Sequence, residues 1–131
     1  MARSVITQWM FTGRAEEAMN LYVSLFEGSA VETIERYGPG EMGAEGTVKR
    51  AVFTLGGHRL ACIDSPPVHA FSFTPSASLF VECSDEAEFD AAFAGLSQGG
   101  AMLMPPDNYG FSARFAWFSD RFGVSWQLNL E

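Results

Sequence analysis

One order of elements occurs twice along the sequence, and that repetition leaves few folds open. Residues 5–11 are β-branched and aromatic and end at Thr12-Gly13, which predicts a strand followed by a break. Ala15, Ala18, Met19, Tyr22, Leu25 and Phe26 then recur at helical spacing opposite Arg14, Glu16, Glu17 and Asn20, and Gly28 stops the pattern. This predicts a helix packed by one face. Strands follow over 30–37, 47–55 and 59–64, with a Gly-rich loop over 38–46 and a Gly56-Gly57 hairpin signal between them. The first half reads β-α-β-β-β.

Pro66, Pro67 and Pro75 crowd the next stretch, which suits an extended connector over 65–76. The same order then returns. A strand over 78–83 leads to a helix over 85–96, with Phe89, Ala92, Phe93 and Leu96 on one face and Asp85 and Glu88 at capping-box spacing. Gly99-Gly100 ends that helix, and strands over 101–104, 111–119 and 124–130 complete the half, with a Pro105-Pro106 loop after the first of them. Side-chain identity between the halves is weak, so the repeat is one of order and spacing. The expected class is α+β: one domain over 1–131 made of two βαβββ modules, 1–65 and 77–131, with mixed sheets.

Alternation within the strands assigns their faces. Over 124–130 the apolar set Val124, Trp126, Leu128 and Leu130 alternates with Ser125, Gln127 and Asn129, so one face packs on a helix and the other is polar. In the first strand Trp9 and Phe11 oppose Ile6, Gln8 and Met10. A face mixing amide, thioether and aliphatic groups suits the lining of a cavity.

Composition excludes several classes. With 47% hydrophobic residues and 12 Phe, the chain has far too much buryable surface to be disordered. Sixteen acidic residues against eight basic ones give −8, with Lys49 the single lysine, so neither nucleic acid nor an anionic membrane is an expected partner. No apolar run approaches the ~20 residues that span a bilayer, and Met1-Ala2-Arg3-Ser4 leads into a strand rather than a signal core, so a cytoplasmic location is expected. Cys62 and Cys83 lack CxxC spacing and sit in apolar runs, as small buried hydrophobes do.

Few residues offer chemistry. His58 follows the hairpin turn, where an exposed side chain is the simplest reading; His69 lies in the connector, within reach of a pocket or a dimer seam. A nucleophile set of Cys62, His58 and Asp64 lacks an activating motif. Arg114 falls on the less apolar face of 111–119 with Ser112 and Ala116, where a cation could pair with a ligand carboxylate. The 38–46 loop opens no helix and carries Glu41 and Glu45, so it is no phosphate cradle; the readings left are a mobile loop or a lid. Asp85, Glu86, Glu88 and Asp90 form a solvated acidic helix start that needs no partner.

Two stretches resemble a known family. Ile6-Thr7-Gln8-Trp9-Met10-Phe11 with Ala15-Glu16-Glu17-Ala18-Met19-Asn20-Leu21-Tyr22 is similar to the start of the PhnB-like branch of the vicinal-oxygen-chelate superfamily, which includes glyoxalases, ring-cleaving dioxygenases and bleomycin-resistance-like proteins. So is the ending, Tyr109-Gly110-Phe111-Ser112, Trp117, then Asp120-Arg121-Phe122-Gly123-Val124-Ser125-Trp126-Gln127, the more specific part. The resemblance implies glyoxalase-like modules with curved sheets and a homodimer. In metal-using members it implies ligands on the first and fourth strands of each module, which match here to Gln8, about Ala61, about Ser78 and Gln127. Amides, a methyl and a hydroxyl are a poor divalent site, so no metal and no cofactor are expected. Members of this branch carry a ubiquinone-pathway methyltransferase label, yet no Gly-rich strand-to-helix turn of a dinucleotide-type fold is present. The expected function is a metal-free protein that binds or sequesters a small molecule, with Gln8, Met10, Ser78, Arg114, Ser125, Gln127 and His69 at its site. The alternative is an enzyme, using a metal or His69 acid–base chemistry.

Overall fold

The computed structural model describes residues 1–131. In chain order the elements are β1 (Thr7–Phe11), α1 (Ala15–Leu25), β2 (Ala30–Arg36), β3 (Val48–Leu55), β4 (His58–Asp64), β5 (Ser78–Glu82), α2 (Glu86–Ser97), β6 (Ala101–Asp107), β7 (Arg114–Ser119) and β8 (Ser125–Leu130). The chain divides into two compact units, Met1–Ala70 and Phe71–Glu131. Each holds one four-stranded sheet, ordered β1-β4-β3-β2 in the first and β5-β8-β7-β6 in the second. In each sheet the first strand runs parallel to the last and the other pairs are antiparallel. Both βαβββ modules are therefore present, and the fold is α+β. No helix is long and apolar enough to cross a membrane.

In the first unit α1 buries Ala15, Ala18, Met19 and Tyr22, the stripe its sequence presents. It packs on β3, β2 and β4, with the Trp9 ring edge-on to Tyr22 at 6.3 Å and tilted against Phe53 at 6.5 Å. Each large side chain so buried stabilises the fold by about 1.5–3 kcal/mol. Arg14 gives the helix no side-chain cap. Asp64, at the end of β4, does that from 49 residues away: its Oδ1 accepts from Gly13 N at 2.8 Å and Ala15 N at 3.0 Å, and its Oδ2 from Val48 N at 2.9 Å. Gly56 and Gly57 have φ of 53° and 91°, the pair of positive values that a two-residue hairpin requires.

In the second unit the cap is local. Asp85 accepts from Glu88 N at 2.8 Å while the Glu88 carboxylate takes Ser84 N at 2.9 Å. The α2 residues Phe89, Ala92 and Leu96 are buried. Phe93, expected on that same face, is only half-buried and sits edge-on to Phe118 at 5.5 Å. The Asp120-Arg121-Phe122-Gly123 turn is clamped by one carboxylate. Asp120 Oδ1 accepts from Phe122 N at 2.8 Å and Val124 N at 3.0 Å, and Oδ2 from Trp126 Nε1 at 2.9 Å.

Two boundaries differ from expectation. Strand β6 continues through Pro105-Pro106 to Asp107, because it is the sheet's edge strand, where a missing N–H leaves no ladder bond unmade; register shifts flank Met104. Strand β7 starts at Arg114 rather than 111, because the chain turns through Tyr109, held at φ 26°.

Candidate functional site

Each helix covers one face of its sheet, so the residues on the opposite face are fixed by strand register. In the second unit three rows cross that face, since directly paired residues point the same way. Ser78, Ser125, Ser119 and Ala101 form the first, and Phe80, Gln127, Trp117 and Met104 the second. Glu82, Asn129, Phe115 and Asp107 form the third. The helix side carries Leu79, Trp126, Phe118 and Met102 instead.

The first two rows share a hydrogen-bonded cluster. Ser78 Oγ and Ser125 Oγ are 2.6 Å apart, Trp117 Nε1 donates to Ser125 Oγ at 2.9 Å, and Gln127 Nε2 donates to Ser78 Oγ at 3.4 Å. Three of the residues expected at a site, Ser78, Ser125 and Gln127, are thus brought together. Ser78 lies directly opposite Ser125, and Gln127 opposite Phe80, so Ser78 and Gln127 are diagonal neighbours. In the third row Asn129 Nδ2 donates to Glu82 Oε2 at 2.9 Å, and Ser112 Oγ donates to Asn129 Oδ1.

The first unit's corresponding face is quieter. Gln8, Ala61, Val52 and Thr33 share one row, and Met10 pairs with Ile63 in the next. Gln8 is exposed and Met10 half-exposed.

Other expected residues lie elsewhere. Arg114 faces α2, not the polar face: its register pairs it with Leu130, its guanidinium lies 4.5 Å from the Phe89 ring centre, and its Nη1 reaches Asp90 Oδ1 at 2.6 Å. The physical reason is that it alternates with Phe115 and so shares the side of Ala116 and Phe118, which the helix covers. His58 opens β4 as an exposed hairpin residue, and His69 lies outside the strands, between β4 and β5. Cys62 is buried, and that burial, reinforced by the Asp64 charge, pushes its thiol up to about 12. With Asp64 committed to three backbone N–H groups, the conceivable Cys62, His58 and Asp64 set has no active nucleophile. Burial, followed by the Glu88 and Glu82 charges, takes Cys83 up to about 11. The 38–46 loop is tied down by Gly46 N to Tyr37 O at 2.9 Å, by Gly38 N to Glu41 Oε1 at 2.7 Å and by Lys49 Nζ to Glu41 Oε2 at 2.5 Å.

What sequence reasoning missed is the aromatic part of the second unit's polar face: Phe80, Tyr109, Phe111, Phe115 and Trp117, with the Met104 thioether beside them. Both faces of β7 are apolar, so alternation within that strand alone is uninformative. The signal was available in its neighbour, where Ser125, Gln127 and Asn129 mark the polar face that Trp117 and Phe115 must share.

The metal that the superfamily resemblance implies does not fit these residues. Gln8 faces Ala61, and the Ser78, Ser125 and Gln127 donors are hydroxyls and an amide turned toward one another. No group of three or more His, Cys, Asp or Glu side chains stands where it could hold an ion.

The profile of the family described as 3-demethylubiquinone-9 3-methyltransferase matches residues 3–129. A solved PhnB protein from Bacillus cereus that bears this methyltransferase name is 50% identical with a TM-score of 0.94, over 98% of this chain and 100% of that one. Protein PA1353 from Pseudomonas aeruginosa is 26% identical with a TM-score of 0.82, over 99% and 98% of the two chains. The fosfomycin resistance protein FosX from Mesorhizobium loti, 15% identical with a TM-score of 0.59 over 100% and 94%, shares the fold alone. No curated protein matches the chain by sequence. The doubled βαβββ topology is the fold shared with FosX and with a glyoxalase-related enzyme from Fulvimarina pelagi, and a family match over nearly every residue with a half-identical PhnB relative places the chain in the family described as 3-demethylubiquinone-9 3-methyltransferase.

Proposed function

We propose that this protein binds a small molecule on the face of the second unit's sheet opposite α2 and holds it without a resident metal. The observation that carries the reading is the cluster of Ser78, Ser125, Trp117 and Gln127 beside Phe80 and Met104. A few oriented donors and acceptors set in an apolar, aromatic surface are what orient an organic ligand. The same cluster argues against turnover. Residues 71–131 contain neither His nor Lys, so neither serine has an imidazole or amine from that unit to activate it, and the serines bond each other, Trp117 and Gln127. The first unit is read by itself: Gln8 and Met10 are the ligand-facing residues of its own sheet, and His69, after β4, is its remaining candidate. Arg114 is omitted, because Asp90 and Phe89 hold it on the other side of the sheet. The family's methyltransferase name is not carried over, since neither module has the glycine-rich strand-to-helix turn of the usual cofactor fold.

The reading also makes the protein a cytoplasmic homodimer. Native mass spectrometry of the purified protein tests it directly. The expected result is a species of twice 14.3 kDa carrying a co-purified organic mass, with a melting temperature that chelator leaves unchanged. Stoichiometric bound metal, or turnover lost on chelation, would put the enzyme reading ahead.

A further inference from the structure

We infer that the face of the second sheet opposite α2 selects a small organic cation carrying a flat ring; this deepens the binding reading above and rests on it. The rings there form a shallow bowl. Phe115, only 5% exposed, is its floor. Phe111 stands 5.1 Å, Tyr109 6.1 Å and Phe80 6.3 Å from it, centre to centre, and these three rim rings are 63%, 40% and 54% exposed. Tyr109 is kept on the rim at an unfavourable φ of 26°, with its hydroxyl donating to Pro105 O and its ring stacked on Phe111. Ring faces carry negative charge density and attract cations.

Carboxylates flank the bowl on both sides. Register puts Glu82 and Asp107 at the two ends of the row that holds Phe115. Glu82 is positioned there by Asn129, which Ser112 holds in turn. Within this unit no cation offsets them. Residues 71–131 carry eight Asp and Glu against two arginines. Arg114 is on the helix side with Asp90, and Arg121 lies over the Phe122 ring at 4.7 Å, in the β7–β8 turn at the opposite end of the sheet from this row. An anionic ring would meet uncompensated repulsion at this face, and a neutral one would use the rings alone. A cation uses both the rings and the carboxylates.

The test is fluorescence titration of the intact protein with two flat probes of opposite charge: proflavine, a cation, and 1-anilinonaphthalene-8-sulfonate, an anion. Proflavine should bind at least about tenfold more tightly, and less so in high salt. Phe111→Ala, at an exposed position, should weaken proflavine by about tenfold. Glu82→Gln still accepts from Asn129 Nδ2 and removes only the charge, so it should weaken proflavine by about three- to tenfold without weakening the anion. Glu86→Gln deletes the same charge on α2 and should change proflavine less than about twofold. Equal affinity for the two probes, or equal effects of Glu82→Gln and Glu86→Gln, overturns the cation preference while leaving small-molecule binding standing. If neither probe binds but an organic mass co-purifies, this inference alone falls; if neither is seen, the binding reading falls with it. A dimer that Phe111→Ala converts to monomer without affecting proflavine would assign the bowl to a second copy and would also overturn the inference.

Discussion

In the first module α1 takes its N-terminal cap from Asp64, 49 residues away on β4, whereas in the second α2 takes it from Asp85, three residues before the N–H it accepts. The surfaces differ in the same direction. Residues 1–70 balance eight carboxylates against six Arg and Lys, and pair them as Arg36–Glu16 at 2.6 Å, Lys49–Glu41 at 2.5 Å and Arg59–Glu32 at 3.0 Å. Residues 71–131 leave eight carboxylates facing two arginines. Opposite the helix, one module presents Gln8, Ala61, Val52 and Thr33, and the other a ring cluster between two carboxylates. One topology thus supports two distributions of charge. The first module caps its helix over a long sequence separation and is nearly neutral; the second caps its helix locally and keeps an unbalanced field over its aromatic face.

The largest effect should come from breaking that contrast at the caps. Asp64→Ala leaves the N–H groups of Gly13, Ala15 and Val48 without their acceptor, two of the three bonds buried, and should destabilise the protein by about 3–5 kcal/mol in urea. Asp85→Ala removes one exposed cap bond and should cost about 1 kcal/mol. If the two losses are equal, the long-range carboxylate is not what fastens α1 to its sheet.

This pair also shows what the sequence makes legible. Asp85 and Glu88 were readable as a capping box because every partner lies within four residues. Asp64 was not, since its three partners come from two other segments and only the folded register collects them. The element order, both helices and the connector were readable because periodicity and glycine or proline breaks are local signals. At the candidate site, Ser125 and Gln127 were readable from alternation in their own strand, and Ser78 only from the family resemblance. Arg114 was misplaced because Ser112, which made its face look polar, precedes β7 and does not share the strand's alternation. The Asp120 to Gln127 motif that carried the family resemblance contains a clamp: Asp120 bonds the turn's own N–H groups and the Trp126 indole, a structural reason for an Asp at that position.

The two buried thiols sharpen the comparison next. Both lie above the ordinary thiol range, Cys62 at about 12 and Cys83 at about 11, chiefly because burial disfavours the thiolate. Alkylation at pH 8 should therefore run on the order of a hundred- to thousandfold slower than for a free thiol, with Cys62, 0% exposed, slower than Cys83 at 8%. On going alkaline the unfolded chain gives up these protons first. Stability is full below the ordinary thiol value and declines as pH rises from there toward 12. Equal labelling rates for the two cysteines would show that the modules open together rather than separately.

The smallest expected effect lies in the first module's surface pairs. Glu16 is held below the usual carboxylate range chiefly by its hydrogen bond from Arg36, which outweighs the opposing effect of burial, with that residue's charge adding least. Both side chains are substantially exposed, so solvent screens the pair and its coupling should be at the weak end for surface ion pairs. Because the folded value is lowered, that contribution is present above the ordinary carboxylate range and lost as pH falls through the lowered value. A double-mutant cycle with Glu16→Gln and Arg36→Gln should read this coupling at pH 7 in low salt and find it gone in high salt or strong acid. The matching cycle in the second module, Asp90→Asn with Arg114→Gln, should give a larger coupling, since Arg114 is 31% exposed and lies over Phe89. A reversed order would mean that the first module's many pairs, rather than the second's two at Arg114, set the electrostatic part of stability. The unbalanced charge of the second module would then be a consequence of its sparse pairing and not a feature of its aromatic face.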